Sequence, residues 1–173
     1  MLRVVTANLN GIRSASVKGF LSWLNKQNAD VVCLQELKAQ IPDLTPDMRN
    51  PGEFRGYFHC AAKKGYSGVG IYARKSPDRI IEGIGNEEFD LEGRYLQADF
   101  GNLSVISLYL PSGSSSEERQ AAKFRFMELF LPRMAALRAS GRDVVVCGAT
   151  DTLASACPAG AKLAPANSQR LLW

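Results

Sequence analysis

The sequence predicts a layered α/β fold built on a mixed, mostly antiparallel sheet flanked by helices. Three observations carry this. Leu2 to Ala7 and Asp30 to Gln35 are short Val-rich runs bounded by Asn, Gly or Asp, the signature of buried strands. A helix-like segment lies between them, so strand, helix and strand follow within about 30 residues, the length of a right-handed crossover between parallel strands. Further β-like runs then follow at hairpin-like spacing, which favours antiparallel neighbours.

In chain order, Val17, Phe20, Leu21 and Leu24 recur at i, i+3, i+4 and i+7, one face of a helix for which Ser14 or Ser16 is the expected cap. Residues 37–53 hold Pro42, Pro46, Pro51 and Gly52 and read as a loop with at most a short helix. Tyr57 to Ala61, Val69 to Ala73, Tyr95 to Phe100 and Leu103 to Leu110 read as strands separated by Gly or Asn turns. A helix is expected to open at Ser115 and Ser116, with Ser115 and Glu118 at capping-box spacing. Its predicted apolar stripe is Phe124, Met127, Leu131 and Met134, and Pro132 is expected to kink or shorten it. Asp143 to Cys147 is a last buried strand, closed by Gly148. Residues 149–173 contain seven alanines, two prolines and no clear period, so an atypical, poorly ordered tail is expected there, beside one partial domain over 1–148.

The chain has 173 residues, 46% hydrophobic and 22% charged, a composition that excludes a disordered tail. No run approaches the roughly 20 apolar residues of a membrane span, and the N-terminus shows no signal-peptide pattern. The four cysteines have no metal-ligand spacing, and buried thiols in a cytoplasmic protein are the expectation. Net charge is +4 and the pI about 9.0. Residues 1–75 carry 11 Lys and Arg against 5 Asp and Glu (net +6), and residues 76–173 carry 10 against 12 (net −2). A basic first half favours a polyanionic partner, because neutralised phosphates release counterions.

Asn8 and Asn10 stand just past the first strand and Glu36 just past the second. Adjacent parallel strands bring their C-terminal ends together, where open α/β sheets place ligand sites. A carboxylate beside amide oxygens there suits a hard cation such as Mg²⁺. The alternative is a turn with a solvated glutamate.

Four segments in order, Thr6-Ala7-Asn8-Leu9-Asn10-Gly11-Ile12-Arg13, Leu34-Gln35-Glu36-Leu37-Lys38, Lys64-Gly65-Tyr66-Ser67-Gly68-Val69-Gly70 and Leu108-Tyr109-Leu110-Pro111-Ser112-Gly113, closely resemble the exonuclease III family of apurinic/apyrimidinic endonucleases. That family lies within the endonuclease/exonuclease/phosphatase superfamily. The resemblance runs from residue 1 to about 148 and implies the N-terminal half of a four-layered α/β sandwich. It implies Mg²⁺-dependent hydrolysis of DNA phosphodiesters, with Mn²⁺ an alternative metal. The implied substrate is double-stranded DNA with abasic sites or 3′ ends, in base-excision repair. Glu36 matches the principal metal-binding carboxylate, and Asn8 and Asn10 match positions lining the metal and phosphate site, Asn8 read as catalytic and Asn10 as metal-binding. Tyr109 matches the active-site tyrosine whose hydroxyl meets the scissile phosphate. Lys64, Gly65 and Tyr66 match a loop on the DNA backbone, where a glycine allows close approach and N–H groups donate to phosphate.

Alternatives stay open at several of these. Tyr109 also reads as a sheet residue with a satisfied hydroxyl, and Lys63-Lys64 as a solvated turn. Arg13 either reaches phosphate or simply sits near a helix start. His59, the only histidine, reads as a packing or surface residue rather than a general base.

The sequence departs from the family pattern after Gly148. The pattern there is Gly-Asp-x-Asn, whose aspartate helps activate the attacking water, and here it is Gly148-Ala149-Thr150-Asp151. Residues 149 and 151 share a face if the strand continues, but Asp151 would be displaced by about 7 Å and is not expected to substitute. The family's second sheet and late Asp-His pair are expected to lie in roughly another hundred residues absent from this sequence, as after a frameshift or truncation. One sheet face would then be uncovered, and a marginally stable, aggregation-prone chain is expected. The resulting reading is a repair nuclease with an incomplete catalytic set. The alternative is a non-catalytic nucleic-acid-binding relative that keeps the scaffold.

Overall fold

Strand β1 (Val4–Asn8) leads through α1 (Ile12–Val17) and α2 (Phe20–Lys26) into β2 (Val31–Gln35) in the computed structural model, which describes residues 2–112 and 116–148. A single 3₁₀ turn (Ile41–Asp43) and α3 (Pro46–Arg49) precede β3 (Arg55–His59), β4 (Val69–Ala73), β5 (Arg79–Glu82) and α4 (Glu87–Asp90). Then come β6 (Tyr95–Phe100), β7 (Leu103–Leu108), α5 (Glu117–Ala139) and β8 (Asp143–Gly148). The expectations for Ser115 and for residues 149–173 concern positions outside the described residues.

The strands form two four-stranded sheets, ordered β1-β2-β4-β3 and β5-β6-β7-β8. Each has one parallel pair, β1 with β2 (Val4 opposite Val31, Asn8 opposite Gln35) and β7 with β8, and two antiparallel pairs. Three apolar cores stack through the molecule. Ile12, Ala15, Phe20 and Leu24 of the first helices cover the outer face of the first sheet through Val32, Leu34 and Tyr72. Val31, Cys33, Val69 and Ile71 meet Leu96, Ala98, Val105 and Cys147 between the sheets. Phe126 and Phe130 of α5 cover the second sheet at Tyr95, Ile106 and Leu108. Helices, sheet, sheet and helix give the four layers.

The second sheet therefore lies within this chain, between residues 79 and 148, which corrects the expectation that it lies beyond. Period-2 alternation shows that a segment is a strand but not which sheet it joins, so two facing sheets read as one. With Leu96, Ala98 and Val105 fully buried against the first sheet, the uncovered face invoked for marginal stability is covered.

Several local readings also change. The helix expected over Val17 to Leu24 is two helices, divided at Gly19, whose φ of +95° belongs to the left-handed region that favours glycine. Val17 ends α1 and is 89% exposed. Ser14 and Ser16 lie inside α1 rather than capping it, and Ser16 Oγ donates to the Ile12 carbonyl. Helix α5 is capped by Ser116, whose Oγ accepts from Arg119 N–H at 3.2 Å. It buries Phe126 and Phe130, leaving Phe124 58% exposed. It also runs unbroken through Pro132, which is exposed, so the carbonyl the proline leaves unpaired can meet water. Strand β5 and helix α4 were not foreseen; both are only four residues long.

Candidate functional site

Asn8 ends β1 and Glu36 follows the last residue of β2, so the parallel pairing sets the two loops side by side. Hydrogen bonding continues past the strands. Leu9, Gly11 and Ile12 N–H donate to the carbonyls of Gln35 (2.9 Å), Glu36 (2.8 Å) and Leu37 (2.9 Å). Leu37 and Lys38 N–H in turn donate to Gly68 (3.1 Å) and Ser67 (2.9 Å), which ties in the loop before β4. Among the described residues four non-glycines have positive φ, namely Asn10 (48°), Glu36 (55°), Lys38 (49°) and Ser67 (43°). All four sit in these three laced loops. Such conformations cost on the order of 1 kcal/mol each and persist where the surroundings over-determine them.

Below the loops a buried polar bridge fixes one sheet against the other. Gln35 Nε2 donates to Ser107 Oγ (3.1 Å), Ser107 Oγ donates to the Leu34 carbonyl (2.9 Å), and Thr6 Oγ1 donates to Gln35 Oε1 (3.1 Å). Gln35 and Ser107 are fully buried, where satisfied polar groups specify a unique alignment. The bridge sets the end of β2, with Glu36, beside the end of β7, with Tyr109.

Glu36 is the centre of the resulting cluster. Asn8 Nδ2 donates to its Oε1 at 2.7 Å, Lys38 Nζ lies 2.9 Å from its Oε2, and the Tyr109 hydroxyl is near enough to bear on its charge. Lys38 Nζ donates to Asn10 Oδ1 at 2.5 Å, and Asn10 N–H donates to Asn8 Oδ1 at 3.1 Å. Burial pushes the Glu36 carboxyl up, but the hydrogen bonds from Asn8 and Lys38, the Lys38 charge and the Tyr109 hydroxyl outweigh it and hold the group below its ordinary 4.5. Tyr109 is pushed up to about 12 by burial, then by the Glu36 carboxylate beside it, against the pull of Arg94. Its hydroxyl is thus a proton donor at neutral pH.

The donor set fits a hard divalent cation. Glu36 offers a carboxylate and Asn10 turns its amide oxygen toward it, oxygen donors of the type Mg²⁺ prefers, and a positive group, the Lys38 ammonium, already stands between them. Asn8 turns its amide nitrogen to Glu36 and so orients the carboxylate. Among the described residues no group of three or more His, Cys, Asp or Glu side chains could hold a metal, and Glu36 is the carboxylate on which the hydrogen bonds of this cluster centre. Ala149, expected from the resemblance to stand at the family's aspartate position, lies outside the described residues.

A second arm reaches the cluster through Arg94, whose side chain is 2% exposed. It pairs with Glu92, donates through Nη1 to the Tyr109 carbonyl (3.0 Å) and through Nη2 to the Tyr66 hydroxyl (2.8 Å), and lies over both rings, 5.3 Å and 5.7 Å from their centroids. Arg119 from α5 also donates to the Tyr66 hydroxyl, at 3.2 Å, and Tyr66 donates to Glu92 at 3.3 Å. Tyr66 is thus joined to Tyr109. Its neighbours Lys64 and Gly65 are exposed, and a Cβ at Gly65 would meet open space. Arg13 is exposed in the first turn of α1, outside this hydrogen-bonded cluster. His59 packs on β3 with Nδ1 2.9 Å from the Tyr95 carbonyl, and Cys33 and Cys147 are free thiols buried between the sheets.

Sequence reasoning brought together Asn8, Asn10, Glu36, Tyr109 and Tyr66. It missed the roles of Lys38, Arg94 and Arg119, and the Gln35–Ser107 bridge. Lys38 carries a readable signal, a cation two residues from the carboxylate; Arg94, in Glu92-Gly93-Arg94, carries none apart from its turn glycine.

This architecture, with its site at the strand ends, is that of the Endonuclease/Exonuclease/phosphatase family, whose profile matches residues 5–148. The chain belongs to that family. Among its relatives is the Exodeoxyribonuclease of Bacillus subtilis (strain 168), 35% identical over 148 residues, which are 85% of this chain and 57% of that protein. DNA repair nuclease APEX1 of Danio rerio is 32% identical over 115 residues, 65% of this chain and 37% of that protein. The APE2 catalytic domain of Xenopus laevis superposes with a TM-score of 0.73 at 29% identity, over 86% of this chain and 58% of that one. An AP endonuclease from Archaeoglobus fulgidus gives 0.74 at 26% identity, over 86% and 56%. The chain is thus related to the exonuclease III and AP-endonuclease repair nucleases, and spans little more than half the length of the Bacillus relative and of both solved structures.

Proposed function

We propose that residues 1–148 are part of an exonuclease III-type nuclease domain, acting on double-stranded DNA at abasic sites and 3′ ends, with a catalytic set that this sequence leaves incomplete. Glu36 and Asn10 would hold Mg²⁺, or Mn²⁺ in its place. When bound, such a cation supplies positive charge against the developing charge on a phosphate in hydrolysis. Asn8 keeps Glu36 turned toward that position. Tyr109, protonated at neutral pH, donates a hydrogen bond to the scissile phosphate. Lys64, Arg13 and the N–H groups at Gly65 and Tyr66 hold the flanking backbone by charge and donation, the contacts that position DNA without reading sequence.

The observation that supports this reading is the hydrogen-bonded cluster of Asn8, Asn10, Glu36 and Lys38 at the strand ends, beside Tyr109. Against full activity stands Ala149 where the family pattern has its water-activating aspartate; loss of such a general base costs about 10²–10⁴ in rate. That substitution favours a second reading, a nucleic-acid-binding relative without catalysis. The test is incision of an abasic-site duplex in Mg²⁺ beside a Glu36→Ala control, with duplex binding measured in parallel. Cleavage lost in the control supports the nuclease. Binding without cleavage supports the second reading, and neither activity overturns both.

A further inference from the structure

Lys38 takes no part in the reaction outlined above, yet it is the closest cation to the carboxylate. Its Nζ lies 2.9 Å from Glu36 Oε2 and 2.5 Å from Asn10 Oδ1. Those are oxygens of the two residues read as holding a divalent cation, and an ammonium and a metal ion cannot both take the space between them. The main chain at Lys38 is fixed, with φ of +49° and its N–H bonded to the Ser67 carbonyl. The side chain is not. It is 34% exposed against 17% for Glu36, and its four-carbon stem lets the head turn to water without moving the loop.

We propose that Lys38 is the resident counter-cation of this site, that its ammonium holds Glu36 and Asn10 in register when no metal is bound, and that a divalent cation enters by displacing it into solvent. The proposal rests on the reading that Glu36 and Asn10 hold the metal. Without such a group, the half-buried Glu36 carboxylate would face the Asn10 amide oxygen with the Asn8 amide donating to it but no countercharge, which is costly. With it, the donors stay arranged, at the expense of metal affinity. Lys38 is therefore a tuning residue, with no contact to substrate required.

The test is Mn²⁺ binding to the intact chain without DNA, followed by the electron paramagnetic resonance of the free ion, for wild type, Lys38→Met, Lys38→Arg and Glu36→Gln. Lys38→Met should bind about fivefold more tightly, the order of a part-exposed ion pair, Lys38→Arg should stay near wild type, and Glu36→Gln should lose binding. A Lys38→Met affinity equal to or below wild type, with Glu36→Gln weakened, overturns the role of Lys38 alone. A Glu36→Gln affinity equal to wild type overturns the metal-site reading beneath it. A second measurement leaves the site intact: with lysines ¹³C-methylated and the Lys38 resonance assigned by its loss in Lys38→Arg, saturating Mg²⁺ should shift that resonance. A resonance that does not move overturns the proposal.

Discussion

Arg94→Met probes how the two arms of the site are joined. The guanidinium is 2% exposed and makes an ion pair with Glu92, one hydrogen bond to the Tyr109 carbonyl and one to the Tyr66 hydroxyl. Truncating one member of a buried pair costs roughly 3–5 kcal/mol, because the other charge is left uncompensated. Glu92 is 33% exposed and can turn to water, and Tyr66 keeps its bond from Arg119, so the lower end applies. Methionine fills most of the volume, and an expected loss of about 2–3 kcal/mol follows. Arg94→Ala adds a cavity and should lose about 4 kcal/mol. Arg94→Lys keeps the charge without the fork and should lose about 1–2 kcal/mol. Urea unfolding with an unchanged slope measures each value. A neutral or stabilising Arg94→Met, the outcome when a buried ion pair contributes nothing net, would refute the claim that this guanidinium braces Tyr66 against Tyr109.

Three further outcomes are expected. Because the folded value of Glu36 lies below its ordinary 4.5, its charge contributes stability above that value, lost as pH falls through the folded one; Glu36→Gln should flatten the acid limb of a stability–pH curve, and parallel limbs would contradict the assignment. Gly93→Ala places a Cβ 2.5 Å from the His59 carbonyl oxygen at φ +60°, whereas Gly85→Ala, at φ +88°, meets open space. Thermal unfolding should show about 1 kcal/mol lost at Gly85 and at least about 3 at Gly93, and equal losses would show that the main chain relaxes. Phe130→Ala, fully buried beside Phe126 and Tyr95, should cost about 3–5 kcal/mol. Phe124→Ala should cost under about 0.5, and the reverse order in denaturant unfolding would restore the stripe read from sequence.

Local chemistry was legible in the sequence wherever one residue type answers one physical need. Val-rich runs marked β1, β2 and β8, and the spacing of Asn8, Asn10 and Glu36 about the first crossover put them at neighbouring strand ends, as the parallel register of Val4 with Val31 requires. The resemblance added Tyr109 and the Tyr66 loop. Sequence periodicity did not tell Phe126 and Phe130 from Phe124 and Leu131, since α5 carries overlapping apolar rows and only the sheet beneath selects one. Nor did it divide the strands between two sheets, because alternation is the same in either.

What the tertiary structure alone decided is long-range. Gln35 and Ser107 are 72 residues apart, and Arg94 joins Tyr66 and Tyr109 across 28 and 15; each is an ordinary polar residue until two sheets close over it. The same holds for Lys38, a loop lysine in the sequence, which becomes the cation of a carboxylate site only when the loop after β1 brings Asn10 to it. Short-range forces chose the strands and the carboxylate. The partners of that carboxylate were chosen by the packing of one sheet on another, which no local pattern encodes.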